Sequence, residues 1–273
     1  MTTQEFSNTF DTLLNSFASQ AMFGDQASKS EIVLDEYEKS VLLTQAQDII
    51  VKQYFQRTSA GEGFDDSARR QTDFSSLITV ENCSEKTSVG NVVKYDERSI
   101  IFQLPAYTKS SDDVTKYSTK VLFILNEKLT LSAGGTVKKQ CVVVPINYKE
   151  YDRQLSKAFS QPLKKQAWRL TQDDVQATAD LSSLYAEIVP NDAFANSKEK
   201  LSGTYNYKLR YVRRPKPIIL TNLDQAYQDG LDIDGYTEVS ECELNPILHM
   251  DILNKAVELA LSTRGGRIGT SEK

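Results

Sequence analysis

The chain has 273 residues, of which 40% are hydrophobic, so it is long enough for one or two domains with hydrophobic cores of their own. Its net charge of −5 argues against a general nucleic-acid binder, because neutralising phosphates requires a cationic surface. Three cysteines without a C-x-x-C pair and a single histidine argue against a zinc site or a disulfide framework.

Two helices are predicted in the first 60 residues. The first covers about 3–20, where aromatic residues and leucines recur at helical spacing, and its polar, acidic start is unlike a secretory signal. The second covers about 35–57, and Asp35 with Glu38 three residues later is a capping-box variant at its start. The apolar stripe of this second helix consists of Tyr37, Val41, Leu42, Ile49, Ile50 and Tyr54.

The middle of the chain favours β-structure. A polar, glycine-containing linker at 58–66 comes first, and a short helix near 148–160 interrupts the strands. Gly134 and Gly135 mark a turn. The predicted strands are 77–83, 99–104, 120–126, 139–147 and 204–214. On the last strand, one face that we expect to pack consists of Tyr205, Tyr207, Leu209 and Tyr211.

The C-terminal segment predicts another helix. Asn245 is its N-cap, Pro246 occupies the first helical position, and Gly265 lies just beyond the end. The apolar runs are all too short to span a bilayer, so we expect a soluble protein.

This order of elements predicts an α+β fold. The N- and C-terminal amphipathic helices, within 1–60 and 240–273, are expected to form a bundle. A central, mostly antiparallel β-rich domain is expected at 61–239.

Candidate catalytic and metal sites are weak. His249 is the one histidine, so a nucleophile activated by imidazole has no other base, and we interpret His249 as structural or exposed. Residues Asp232, Asp234, Gly235 and Glu241 match part of a calcium loop, but Gly230 stands where the first ligand belongs. We therefore predict no catalytic residue, no metal site and no cofactor.

Charge is distributed unevenly along the chain. A basic stretch at 208–216 is followed by an acidic stretch from Asp224 to Glu243 that contains no lysine or arginine. Complementary patches of this kind suit contacts between subunits. The candidate interface residues are Arg210, Arg213, Arg214 and Lys216 on the basic side and Asp232 and Asp234 on the acidic side.

Four strings together resemble virion structural proteins of crAss-like and related Bacteroidetes tailed phages. They are LDEYEKSVLLTQAQDIIVKQYF (34–55), PLKKQAWRL (162–170), YVRRPKPIILTNL (211–223) and CELNPILHMDILNKAVELAL (242–261). Proteins similar to this one in that group are ring components of the neck, the head-to-tail connector beneath the portal.

The resemblance implies a structural ring subunit in the neck or tail of the virion, located in the host cytoplasm during assembly, and no enzyme. Its implied partners are further copies of itself in a closed ring, dodecameric to match the portal, the portal protein, and other neck or tail ring proteins. It also implies packaged DNA in the channel and no membrane partner. Two alternatives stay open: a soluble DNA-binding module that uses 208–216, and a metal-dependent phage enzyme.

Overall fold

A computed structural model describes twelve stretches of the chain. They are residues 1–21, 33–55, 72–85, 94–96, 98–105, 120–133, 136–155, 157, 162–173, 184–191, 203–226 and 230–264. The predicted linker at 58–66, the turn at Gly134–Gly135, Gly265 and the end of the helix predicted near 148–160 lie outside these residues.

The elements follow one another as mixed helices and strands, so the predicted α+β class is confirmed. The helices are α1 (Thr3–Ala21), α2 (Glu36–Phe55), α3 (Tyr148–Leu155), α4 (Leu223–Ala226) and α5 (His249–Arg264). The strands are β1 (Ile78–Ser84), β2 (Ile100–Gln103), β3 (Val121–Ala133), β4 (Thr136–Pro145), β5 (Gln166–Asp173), β6 (Leu184–Pro190) and β7 (Gly203–Arg213). No helix among the described residues is long and apolar enough to cross a membrane.

The described residues divide into two compact units. The first contains Met1–Leu77 and the chain from Pro215 onward, and the second contains the described residues between Ile78 and Arg214. The domain division predicted from the sequence stays a prediction.

In the first unit, α5 packs against both α1 and α2. Helix α1 begins with a capping box in which the Thr2 N–H donates to Glu5 Oε2 (2.9 Å) and the Glu5 N–H donates to Thr2 Oγ1 (3.3 Å). Asn245 is an N-cap as predicted, but of the 3-10 helix Pro246–Leu248 that leads into α5: its Oδ1 accepts from the Ile247 N–H (3.1 Å). The apolar side chains that this packing buries include Phe6, Phe10, Leu14, Leu43, Ile50, Ile252, Leu253, Ala256 and Val257.

The buried face of α2 differs from the predicted stripe. Of the six apolar residues predicted to face the core, only Ile50 is buried, and the others are half-buried. The face that is buried includes four polar or charged side chains as well as apolar ones. It consists of Lys39, Ser40, Leu43, Thr44, Ala46, Gln47, Ile50 and Val51.

The second unit is a seven-stranded sheet in the order β1-β7-β3-β4-β5-β6-β2. Five of its neighbouring strand pairs are antiparallel, and β4 with β5 is parallel. The edge strands β1 and β2 approach each other through a bridge between Glu85 and Phe102, so the sheet curls toward a barrel.

The sheet is mostly antiparallel, as predicted, and its one parallel pair is joined by a β-α-β crossover. Strands β4 and β5 are connected through α3, because parallel neighbours require a connection that returns the chain to the same end of the sheet. Helix α3 covers the outside of the sheet there, where Tyr151 packs with Leu170 of β5 and Val189 of β6.

The interior of the curled sheet is built largely by β7. The four residues predicted to share a packed face are buried, and they alternate with polar residues that point outward. This confirms the predicted face of Tyr205, Tyr207, Leu209 and Tyr211.

Candidate subunit-interface surfaces

A groove lies on the outer face of β1, β7, β3 and β4, opposite the buried tyrosines. Antiparallel register places Lys208 of β7 between Asn82 of β1 and Lys128 of β3. Two residues further along, Arg210 lies between Val80 and Asn126. Since directly opposed residues in a sheet share a face, these side chains form one continuous surface.

The groove is cationic and rich in amides. Its charged lining residues are Lys128, Lys208 and Arg210, and among the described residues no aspartate or glutamate lines it. Within the described part of the chain these three cations form no salt bridge. The remaining lining residues are Val80, Asn82, Asn126, Thr130, Ser132, Val137, Gln140 and Asn206.

The predicted basic residues fall into three environments. Arg210 is exposed in the groove, whereas Arg213 and Arg214 at the end of β7 are half-buried. The Arg214 N–H donates to the Lys120 carbonyl (3.1 Å), and the Arg213 guanidinium donates to the Arg214 carbonyl (3.4 Å). Lys216 belongs to the first unit, where its side chain is exposed and its N–H donates to Glu243 Oε2 (3.0 Å).

The predicted acidic residues lie at a tight turn of the first unit. The Ile233 and Tyr236 backbones hydrogen-bond to each other in both directions (3.0 Å each), and Asp234 (φ 54°) and Gly235 (φ 84°) occupy the left-handed region between them. Asp232 Oδ1 accepts from the Gly235 N–H (2.9 Å), so this carboxylate stabilises the turn. Asp232 is exposed and Asp234 is half-exposed.

The acidic segment 224–243 is anchored to the rest of the first unit by its apolar and backbone groups. Ile233 packs with Ile219 and Leu223 in a cluster that Tyr37 and Val41 of α2 cover. Its acidic and apolar side chains that stay exposed include Asp224, Glu238, Val239 and Glu241.

Three polar side chains of α2, which the sequence did not indicate, hold the chain that leads into this segment. The Leu220 N–H donates to Ser40 Oγ (3.0 Å), the Ile218 N–H donates to Thr44 Oγ1 (3.1 Å), and Gln47 Nε2 donates to the Lys216 carbonyl (2.8 Å). Their spacing puts the three side chains on one face of α2, and they bond to the backbone of every second residue, so residues 216–220 lie along this helix face. The signal in the sequence was only that these polar residues recur at helical spacing.

His249 is buried and is hydrogen-bonded through both ring nitrogens. Its Nε2 donates to the Leu244 carbonyl (3.0 Å), and the Met1 amino group donates to Nδ1 (3.2 Å). The Phe6 ring lies 5.1 Å from the imidazole, centroid to centroid. Burial, together with the nearby amino group, lowers the pKa of His249 below its ordinary value of 6.5, which agrees with a structural neutral imidazole.

Two acidic side chains of the second unit, the buried Glu127 and the half-buried Asp96, are bound to partners within it. Glu127, inside the curled sheet, accepts from Arg169 (2.8 Å) and from the Tyr207 hydroxyl (2.6 Å). Burial raises the pKa of Asp96, but hydrogen bonds from Arg98 and Tyr151 outweigh it and lower that pKa to about 2. These groups link neighbouring elements, and no cluster of potential metal ligands occurs among the described residues.

Comparison with known proteins identifies relatives along the whole chain. The sequence profile of a family described as "Phage tail ring protein 3/4" matches residues 1–272. "Ring protein 4/5" of Bacteroides phage crAss001 is 40% identical over 273 residues, which cover 99% of this chain and 97% of that protein. "Ring protein 3" of the same phage is 32% identical over 274 residues, which cover 100% of each. These matches confirm the resemblance that the four sequence strings carry.

Proposed function

The chain belongs to the phage tail ring protein 3/4 family, and on that premise we propose that it is the repeating subunit of a closed ring in the neck of a tailed phage. As a member of this family it is a structural component of the virion. The observation that carries the proposal is the full-length similarity to two proteins named as ring proteins.

The proposed location is the head-to-tail connector below the portal, where the ring surrounds the path of the DNA. A dodecamer would match the symmetry of a portal, and the portal and other ring proteins are the proposed neighbours. The role is structural and not catalytic, which is supported by the contacts of the buried Glu127 with Arg169 and Tyr207 in the core of the second unit.

A closed ring needs two different surfaces on each subunit, because each copy contacts one neighbour on either side. We propose that one surface is basic and includes Arg210, Arg213, Arg214 and Lys216. The other is acidic and includes Asp232 and Asp234. Complementary charge would set the register and exclude contacts between like surfaces. We also propose that α1, α2 and α5 form a helical bundle, which would give the ring subunit a rigid body.

Native mass spectrometry of the purified full-length chain tests whether it forms a ring by itself. The expected result is one dominant oligomer of defined copy number, twelve for the proposed symmetry, with little intermediate assembly, because closure satisfies both surfaces of every copy. A ladder of open oligomers or a monomer at every concentration would contradict a self-closing ring.

A further inference from the structure

We propose that the groove formed by the outer faces of β1, β7, β3 and β4 receives the acidic segment 224–241 of a neighbouring copy. This inference rests on the proposed ring and names the surfaces that join its subunits. In this inference the basic side of the contact is formed by the groove cations Lys128, Lys208 and Arg210 and not by Arg213 and Arg214 at the end of β7.

Charge complementarity is the first argument. Within the described part of the chain, the groove presents Lys128, Lys208 and Arg210 without an acidic lining residue, and these cations form no salt bridge. The segment presents the exposed carboxylates of Asp224, Glu238 and Glu241, and the sequence from 217 to 254 contains no lysine or arginine. The carboxylates of the segment can therefore supply the negative charges that the groove lacks, and the groove cations can supply the positive charges that the segment lacks.

The apolar part of the groove selects a peptide over nucleic acid. Val80 and Val137 are 52% and 56% exposed among the polar lining residues, and Val239 of the segment is 49% exposed between Glu238 and Ser240. Valines gain free energy when they pack on another apolar side chain, but they gain nothing from a phosphate backbone. None of the described residues that line the groove is aromatic, so the bases of a single strand would have no ring there on which to stack.

The amides of the groove suit an extended or turning backbone. Asn82, Asn126, Asn206 and Gln140 each offer a donor and an acceptor next to the cations. Among the described residues of the segment, Ser240 is bridged to Ile219, whereas the backbones of Glu238, Val239 and Glu241 form no hydrogen bond with another described residue and can bond to such side chains. A neighbour's backbone and carboxylates can therefore be bound by the same surface.

Arg213 and Arg214 are less suitable for this contact than the groove cations. Both are half-buried, and the backbone of Arg214 is bonded to Lys120, so reversing their charge would perturb the subunit itself. Lys208 and Arg210 are exposed, and reversing them leaves the fold intact because exposed charges contribute little to stability.

The test uses two charge reversals in the full-length protein. The groove variant carries Lys208→Glu and Arg210→Glu, and the segment variant carries Glu238→Lys and Glu241→Lys. Each is expected to reduce self-association, measured by sedimentation velocity, by roughly tenfold or more, because like charges then face each other. In a pull-down, the tagged groove variant is expected to bind the untagged segment variant, because the reversed charges are again complementary. A tagged copy of either variant is expected not to bind untagged copies of the same variant.

Matched controls carry the same change of charge elsewhere. Lys164→Glu with Lys165→Glu alters exposed cations at the turn before β5, and Asp251→Lys with Glu258→Lys alters exposed acids of α5. Both controls are expected to associate like the parent chain. Far-UV circular dichroism of every variant is expected to match the parent.

The outcomes separate this inference from the ring proposal. Parent-like association of the groove variant would overturn the groove contact and leave the ring intact. Salt-dependent binding of duplex DNA by the parent, lost in the groove variant while the segment variant still assembles, would instead identify the groove as a DNA contact. A parent chain that never associates would contradict the self-assembling ring, and the groove contact with it.

Discussion

Replacing Thr44 with valine tests whether side-chain hydrogen bonds, rather than apolar packing, attach residues 216–220 to α2. Thr44 Oγ1 accepts from the Ile218 N–H at 3.1 Å and donates to the Ile218 carbonyl at 3.4 Å, and Ile218 is fully buried. Valine has nearly the shape of threonine, so the change removes these bonds without opening a cavity. The Ile218 N–H has no other partner within the described residues.

The expected cost of Thr44→Val follows from that N–H. A buried donor left without a partner costs about 1–3 kcal/mol, and the longer bond to the carbonyl adds a fraction of this. The added methyl group recovers less than about 1 kcal/mol through burial. The free energy of unfolding should therefore fall by about 2 kcal/mol.

Equilibrium unfolding in urea, followed by far-UV circular dichroism, measures this difference, with Thr44→Ser as the matched control. Serine keeps the hydroxyl and loses one methyl group, which costs about 1 kcal/mol. The bonding account therefore ranks valine as more destabilising than serine, although valine is closer to threonine in shape. The opposite ranking, with valine equal to or more stable than the parent, would refute the reasoning.

Three further predictions concern buried groups. Val257→Asp places a charge at a position only 1% exposed and should lower the free energy of unfolding, measured by urea titration, by roughly several kcal/mol. The control Met250→Asp changes a side chain of the same helix that is 45% exposed, and it should alter the free energy of unfolding by less than about 0.5 kcal/mol. Because the pKa of His249 is lowered in the folded state, the contribution of its neutral form to stability should be fully present above pH 6.5 and decline as the pH falls below that value. The urea midpoint, measured over a series of pH values, should therefore depend less on pH in His249→Gln than in the parent. An unchanged pH dependence would exclude His249 as its cause. Burial raises the pKa of the Cys83 and Cys141 thiols to about 12, so their alkylation by iodoacetamide, followed by mass spectrometry, should be slow in the native protein and complete in urea. Rapid labelling of either thiol in the native protein would contradict its burial.

The sequence predicts elements well where a local pattern and its physical cause coincide. On β7 the alternation of tyrosine and leucine with polar residues gives the buried face directly, because side chains of a strand point to opposite sides in turn. The Asn245-Pro246 pair marks the start of the 3-10 helix Pro246–Leu248 that leads into α5, because the Asn245 side chain caps a backbone N–H and proline lacks one.

Strand β6 shows where an alternating apolar pattern is insufficient to predict a strand. β6 is buried on both faces, since Ala186 and Ile188 face the interior of the sheet and Val189 faces α3, so its sequence does not alternate. A glutamate in a strand sequence usually indicates a solvent-exposed position, but Glu187 is fully buried. Its Oε1 accepts hydrogen bonds from the Tyr95 and Asp96 N–H groups and from the Ser99 hydroxyl. Long-range partners of this kind cannot be inferred from one strand.

Helix α2 and the groove show the same limit for the candidate interface. Ser40, Thr44 and Gln47 are buried because they bond to a backbone about 170 to 180 residues away, which no local periodicity indicates. The sequence did place Arg210 in a basic interface, but it gave no reason to group it with Lys128 and Asn82. That grouping arises from the register of three strands.

A cryo-EM reconstruction of the virion neck, computed without imposed symmetry, tests the central claim most directly. We expect density for this chain as a closed ring of identical subunits around the DNA path, next to the portal or to another ring. Within it, the groove of β1, β7, β3 and β4 should contact residues 224–241 of the adjacent copy. A chain absent from the neck and tail, or present as isolated copies without a closed ring, would contradict the account.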